Sequence, residues 1–143
     1  MTPGGIPAER FRELAQRHFG FLEALGFARS PADEDASPVG TSIAYAGRHL
    51  GFLVSLDTRD RCVSVRVTRA RHGRLAEAGP GGYSNDLLAH LFEHAGYRGR
   101  GARSGSELVD GEATLERVLE GWAGFLREAG ADLLEDRETS IPR

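Results

Sequence analysis

Phe11, Leu14, Ala15, His18, Phe19, Leu22 and Leu25 recur at steps of three and four, the spacing of a single apolar helix face. Pro7 suits the first turn of that helix. Gly26 suits the left-handed position that ends it, after which Phe27 turns back toward the core. Past residue 40 the period changes to two. Ile43 and Tyr45 alternate with Ser42 and Ala44; Leu50, Phe52, Val54 and Leu56 follow, then Val63, Val65 and Val67. This predicts three consecutive antiparallel strands at about 41–46, 49–57 and 61–69, the last two joined by a hairpin at DTRDR. Ser64, Arg66 and Thr68 oppose the valines, so one sheet face is expected to be wet and the other to pack on helices. Leu53 falls on the wet side, which implies partial cover, by a second copy of the chain among other ways.

The stretch 28–40, ARSPADEDASPVG, reads as a loop, with a fourth strand there left open. RARHGRLAEAGPGG, at 69–82, reads as a loop with a short helical turn in its middle. Ser84 or Asn85 is placed to cap a second helix, whose stripe is Leu87, Leu88, Leu91, Phe92 and Ala95 and whose stop is Gly96. GRGARSGS, at 99–106, is a flexible loop. Asp110 is placed to cap the last helix, which carries the cleanest amphipathic pattern: Leu115, Val118, Leu119, Trp122, Phe125, Leu126 and Ala129. Gly130 ends it, and a short acidic tail follows. The order α-β-β-β-α-α, a strand meander flanked by helices, predicts a single α+β domain over 1–143 rather than a nucleotide-binding α/β fold.

Composition narrows the class. A chain of 143 residues with 40% hydrophobic residues can build one proper core. The net charge of −3 sets up no global field for nucleic acid or an anionic membrane. Cys62 is the single cysteine, which favours a reducing compartment. The N-terminus lacks the charged and apolar regions of a signal peptide, and no apolar run approaches the ~20 residues of a membrane span. A cytoplasmic protein is therefore expected. All 18 basic residues are arginine, which matches the codon bias of a GC-rich bacterial genome.

The sharpest candidate for chemistry is HLFEH at 90–94. It has the H-x-x-E-H order of inverted zinc peptidases: His90 and His94 as ligands four apart, Glu93 as base. On a helix, His94 falls at the edge of the apolar stripe, His90 further around and Glu93 nearly opposite. A catalytic zinc needs a third ligand, for which Glu107, Asp110 and Glu112 are candidates, and a water position in a cleft. One five-residue match in so short a chain is a weak signal, so these residues are expected to be helix-flank histidines, with a metal-binding or hydrolytic role as the alternative.

Cys62 and His49 could form a nucleophile–base pair only if neighbouring strands brought them together. His18 reads as a hydrogen-bonded, partly buried histidine. GRGARSG follows a helix rather than a strand, so it is no dinucleotide fingerprint, and GPGG at 79–82 reads as a turn. Arg59, Arg61, Arg66, Arg69, Arg71 and Arg74 share their stretch with one acid, Asp60, and Arg98, Arg100 and Arg103 form a second patch. RNA binding through these loops is a weaker alternative, because the wet face lacks stacking aromatics.

The segments FRELAQRHFGFLEALGF, an I-x-Y strand, a strand ending LDTRDR, VSVRV and LERVLEGWAGFLREAGADLLEDR span most of the chain. Together they resemble a broad group of small uncharacterised bacterial α+β proteins, some of which lie beside polymorphic toxin genes and are regarded as immunity-protein-like. That group commonly ends in an aDLL-G-D tail; here Glu135 stands at the glycine, so a different turn is expected. The resemblance implies a non-enzymatic protein-binding module, an immunity-like protein whose partner is another protein such as a toxin. It implies no cofactor, no metal and no catalytic residue. Segregated charge points to Asp33, Glu34, Asp35, Arg59, Arg61 and Arg66 as the partner-binding surface. A homodimer is left open.

Overall fold

The computed structural model describes residues 6–37, 40–76, 81–99 and 108–142. Its elements are α1 (Ala8–Phe19), α2 (Phe21–Ala24), β1 (Ala28–Arg29), β2 (Ala36–Ser37), β3 (Gly40–Ala46), β4 (Leu50–Asp57), β5 (Cys62–Arg71), β6 (Arg74–Ala76), β7 (Ser84–Asp86), α3 (Leu87–His94) and α4 (Glu112–Ala129). Three 3-10 turns, Pro31–Asp33, Ala131–Glu135 and Glu138–Ser140, complete them. The fold is α+β, with one antiparallel sheet ordered β1-β3-β4-β5-β6.

The predicted meander is present and in register. Ile43 pairs with Val54 and Val54 with Val65; Tyr45 pairs with Phe52 and Phe52 with Val67. These rows put Ile43, Tyr45, Phe52, Val54, Val65 and Val67 on the helix side, where Phe11, Leu14, Phe19, Leu115, Val118, Leu119, Trp122 and Leu126 bury against them, while Ala44 and Leu53 fall on the other face. The β4–β5 hairpin turns on Asp57, whose Oδ1 accepts the N–H groups of Arg59 and Asp60, both at 2.8 Å.

Five expectations change. Helix α4 starts after Gly111 with no side-chain cap, so Asp110 does not cap it. The first helix breaks at Gly20, where a Cβ would sit 2.6 Å from the Gln16 carbonyl oxygen. The break shifts the helical phase, and Leu25 ends 48% exposed. The loop 28–40 carries two short strands, β1 and β2, that pair with opposite ends of β3. The stretch after Arg69 is strand rather than helical turn: β5 runs on to Arg71, and His72 and Gly73, both at positive φ, make a two-residue hairpin into β6. Ser84 and Asn85 lie in β7, and α3 is capped by Asp86, whose Oδ1 accepts from Leu88 N and Ala89 N at 3.0 and 3.4 Å.

The face expected to be wet is covered at one end by the chain itself. The sheet curls until β6 meets the Pro31–Asp33 turn. There the Asp33 carboxylate takes Arg74 Nε and Nη2, each at 3.0 Å, and Leu75 N at 2.9 Å. Leu75 lies over Gly51. Thr68 and Ala44 are buried on this face, and Ser42 is buried beside Asp35, while Leu53, Ser55, Ser64 and Arg66 stay half-buried.

Candidate functional site

The α3 helix buries Leu87, His90 and Leu91. That face is rotated nearly one residue step from the stripe its pattern predicts, and Phe92 is left exposed. His90 turns inward, 1% exposed, because Tyr83 and the C-terminal residues cover it. The Tyr83 hydroxyl donates to His90 Nδ1 at 2.9 Å and accepts from Asn85 Nδ2 at 3.2 Å. The Ser140 main chain also lies against the His90 ring. Burial, with the nearby His94, pushes the His90 pKa down to about 4, so the ring is neutral near pH 7. Nδ1 is taken by Tyr83, and the ring is 1% exposed, so a metal would have to displace Tyr83 to reach that nitrogen.

Glu93 and His94 stay at the surface. Glu93 Oε2 accepts from Asn85 Nδ2 at 3.2 Å and lies 3.6 Å from His94 Nε2. The His90 and His94 rings sit 5.2 Å apart, and Tyr83 meets both edge-on. Of the expected third ligands, Asp110 bonds the Thr114 hydroxyl, Glu112 pairs with Arg10, and Glu107 lies outside the described residues. Among the described residues no group of three His, Cys, Asp or Glu side chains converges. HLFEH is thus a helix with one buried and one surface histidine tied to tyrosine and main chain.

Cys62 and His49 do not meet. Cys62 pairs with Asp57 at the hairpin end of β4, and His49 precedes the other end, roughly 25 Å away at strand rise. Burial, then Asp57 and Asp60, raises the Cys62 pKa, the wrong direction for a nucleophile. His18 is partly buried and lies 3.3 Å from Glu116, which also takes Arg17 at 2.7 Å, so it joins α1 to α4.

The acidic stretch divides by role. Asp33 closes the curl of the sheet, as described above. Glu34, with a side chain 4% exposed, receives Arg29 Nε and Nη2 at 2.6 and 2.7 Å. It also accepts Ala44 N–H at 3.0 Å, filling the gap between β1 and β2 along the β3 edge. Only Asp35 keeps an exposed position. Arg59 and Arg61 are exposed at the hairpin tip, and half-buried Arg66 donates from Nε to the Ser84 hydroxyl at 2.8 Å. Asp35 bonds the main chain of Ser42, which lies in register with Ser55 and Ser64. Asp35 and the hairpin arginines therefore share one end of the sheet. Arg100, Arg103 and the turn 77–80 lie outside the described residues.

Two polar anchors escape a sequence reading. The Asp136 carboxylate accepts the N–H groups of Arg48, of His49 at 2.8 Å and of Leu50 at 3.0 Å, pinning the β3–β4 turn to the C-terminal segment. Arg69, on the helix side of β5 opposite Leu50, donates from Nη2 to the Pro142 carbonyl at 2.7 Å. The aspartate of the ADLLED stretch was the one available hint; its target lies 86 to 88 residues away. No helix is long and apolar enough to cross a membrane among the described residues. Comparison with known protein families, curated proteins and solved structures returns no match, so the reading of function rests on this chain's own residues.

Proposed function

We propose that this chain is a non-enzymatic, cytoplasmic protein-binding module of the immunity type, which neutralises a partner protein by binding it. The observation that carries the reading is the hairpin end of the sheet. Helices cover one face, while on the other Leu53, Ser55, Ser64 and Arg66 remain half-buried beside exposed Arg59, Arg61 and Asp35. A rigid strand surface rimmed by arginine suits recognition of a partner, since aromatic and arginine side chains are enriched at interfaces and opposite charge sets on-rate and specificity. Asp33 and Glu34 support that surface from within, leaving Asp35, Arg59, Arg61 and Arg66 as its contact residues.

Native mass spectrometry of the gently isolated tagged protein tests the class. A stoichiometric polypeptide partner is expected; a bound metal lost in His90→Ala would sink the reading in favour of a metalloprotein. With the partner in hand, Arg59→Glu and Arg61→Glu together are expected to weaken binding at least about tenfold, chiefly through the association rate, with unchanged melting. Unchanged affinity would refute the interface.

A further inference from the structure

Residues 138–142 form a strap across the end of β5 and the buried side of α3. Arg69 beneath holds it by the Pro142 main-chain carbonyl, and the Ser140 main chain lies against the His90 ring. Ile141, between them, is buried. The Arg69 position is unusual. The residue is 9% exposed, its Nε has no hydrogen-bond partner among the described residues, and its one side-chain bond there goes to a neutral carbonyl. A guanidinium carries five N–H donors and a fixed positive charge. Removed from water it is strongly disfavoured unless an anion compensates it. A carboxylate or phosphate grips Nε and a neighbouring Nη with two parallel bonds, which a single carbonyl cannot do.

The geometry points to an oxyanion site at Arg69 beneath the strap, where a carboxylate or phosphate group takes Nε and replaces the Pro142 carbonyl at Nη2. The site is separate from the protein-binding surface, since Arg69 faces the helix side of the sheet and Arg66 the other. Anion entry exchanges one neutral contact for a charge-assisted pair and releases the end of the strap. Ligand occupancy and strap order are thereby coupled.

The test is a titration of isotope-labelled protein with inorganic phosphate and, separately, acetate, at ionic strength matched with chloride. The signals followed are the Arg69 Nε–H, the amides of Arg69, Tyr83, Ser140 and Ile141, and the melting temperature. Saturable shifts at these groups are expected, with melting raised by about 3 °C at ten times the midpoint concentration. Response to phosphate alone assigns a phosphate-bearing ligand; response to acetate, with or without phosphate, assigns a carboxylate. Arg69→Met is expected to fold, because an apolar chain of similar length replaces an uncompensated charge, and to lose the response. An equal rise in Arg69→Met, or no saturable shift at Arg69 Nε with either anion, overturns the site. Should Arg69→Met fail to fold, the wild-type Nε signal decides alone.

Discussion

Removing the Asp136 carboxylate should unpin the turn between β3 and β4 from the C-terminal segment. The three N–H groups it accepts differ in setting: Arg48 N is exposed, whereas His49 N and Leu50 N are partly buried. Water replaces the carboxylate at Arg48 at little loss. The other two donors lose charge-assisted bonds in a site that water enters poorly, at about 1–2 kcal/mol each, so the total is about 3 kcal/mol. Asp136 also sits at φ 54°, ψ 54°, where aspartate is tolerated and alanine is not. Asp136→Ala would mix that strain with the lost bonds, so Asp136→Gly is the cleaner variant: glycine keeps the backbone conformation and removes only the carboxylate. Urea unfolding followed by circular dichroism reads the effect. With a slope of about 1.5–2 kcal/mol per molar, the midpoint of Asp136→Gly should fall by about 1.5–2 M at unchanged slope. A glycine variant within about 0.5 kcal/mol of wild type, beside a destabilised alanine variant, would show that backbone strain was the whole effect and refute the anchoring role.

Buried His90 should make stability depend on pH. In the unfolded chain it takes up a proton below its ordinary pKa near 6.5, while in the fold it stays neutral down to about 4. The unfolded state therefore binds more protons in that window, and stability falls as pH drops through it, by about 3 kcal/mol in all; melting temperature against pH should be flatter between 4 and 6.5 in His90→Gln, and parallel curves would contradict this. In Glu34→Gln the Arg29 guanidinium loses its carboxylate and the Ala44 N–H a strong acceptor, which should cost about 2 kcal/mol in chemical denaturation, with part recovered when Arg29→Met is added. In Gly51→Ala the new Cβ would stand 2.4 Å from Leu75 Cδ2 and 2.5 Å from the Tyr45 carbonyl oxygen. A loss of about 2 kcal/mol is expected, and Leu75→Ala should relieve it only in part, because the backbone contact remains; full rescue would place the strain on the side chain alone.

The elements most legible in the chain were those whose period repeats long enough to outweigh local noise. The β3–β4–β5 meander appears with the predicted alternation, and α4 buries Leu115, Val118, Leu119, Trp122 and Leu126 as its spacing demands. Short elements were missed because their signals compete with turn chemistry. Ser84 and Asn85 look like caps and are strand, and His72-Gly73 is a hairpin turn inside a stretch that reads as a loop with a short helical turn. The buried side of α3 was misplaced for another reason: His90 counts as polar in any pattern, yet Tyr83 bonds its ring, the Ser140 main chain lies against it, and it enters the core.

Sequence by itself determined the class of this protein. Hydrophobic periods of two and 3.6, set by backbone geometry, prescribe an α+β fold with a sheet that buries one face on helices. For HLFEH the sequence offered Glu107, Asp110 and Glu112 as candidate third ligands; only the fold placed Asp110 on Thr114 and Glu112 on Arg10. Tertiary structure alone decided which charges are free. Asp33, Glu34 and Asp35 are alike in the sequence, but the curl of the sheet spends the first on Arg74 and Leu75 and the second on Arg29 and Ala44, and leaves the third exposed. Arg66 and Arg69 are three residues apart on one strand; alternation puts the first on the half-open face and the second under the C-terminal strap. The physical reason is that a charge's role depends on partners and burial, which long-range contacts set, whereas periodicity is written within a few residues of each position.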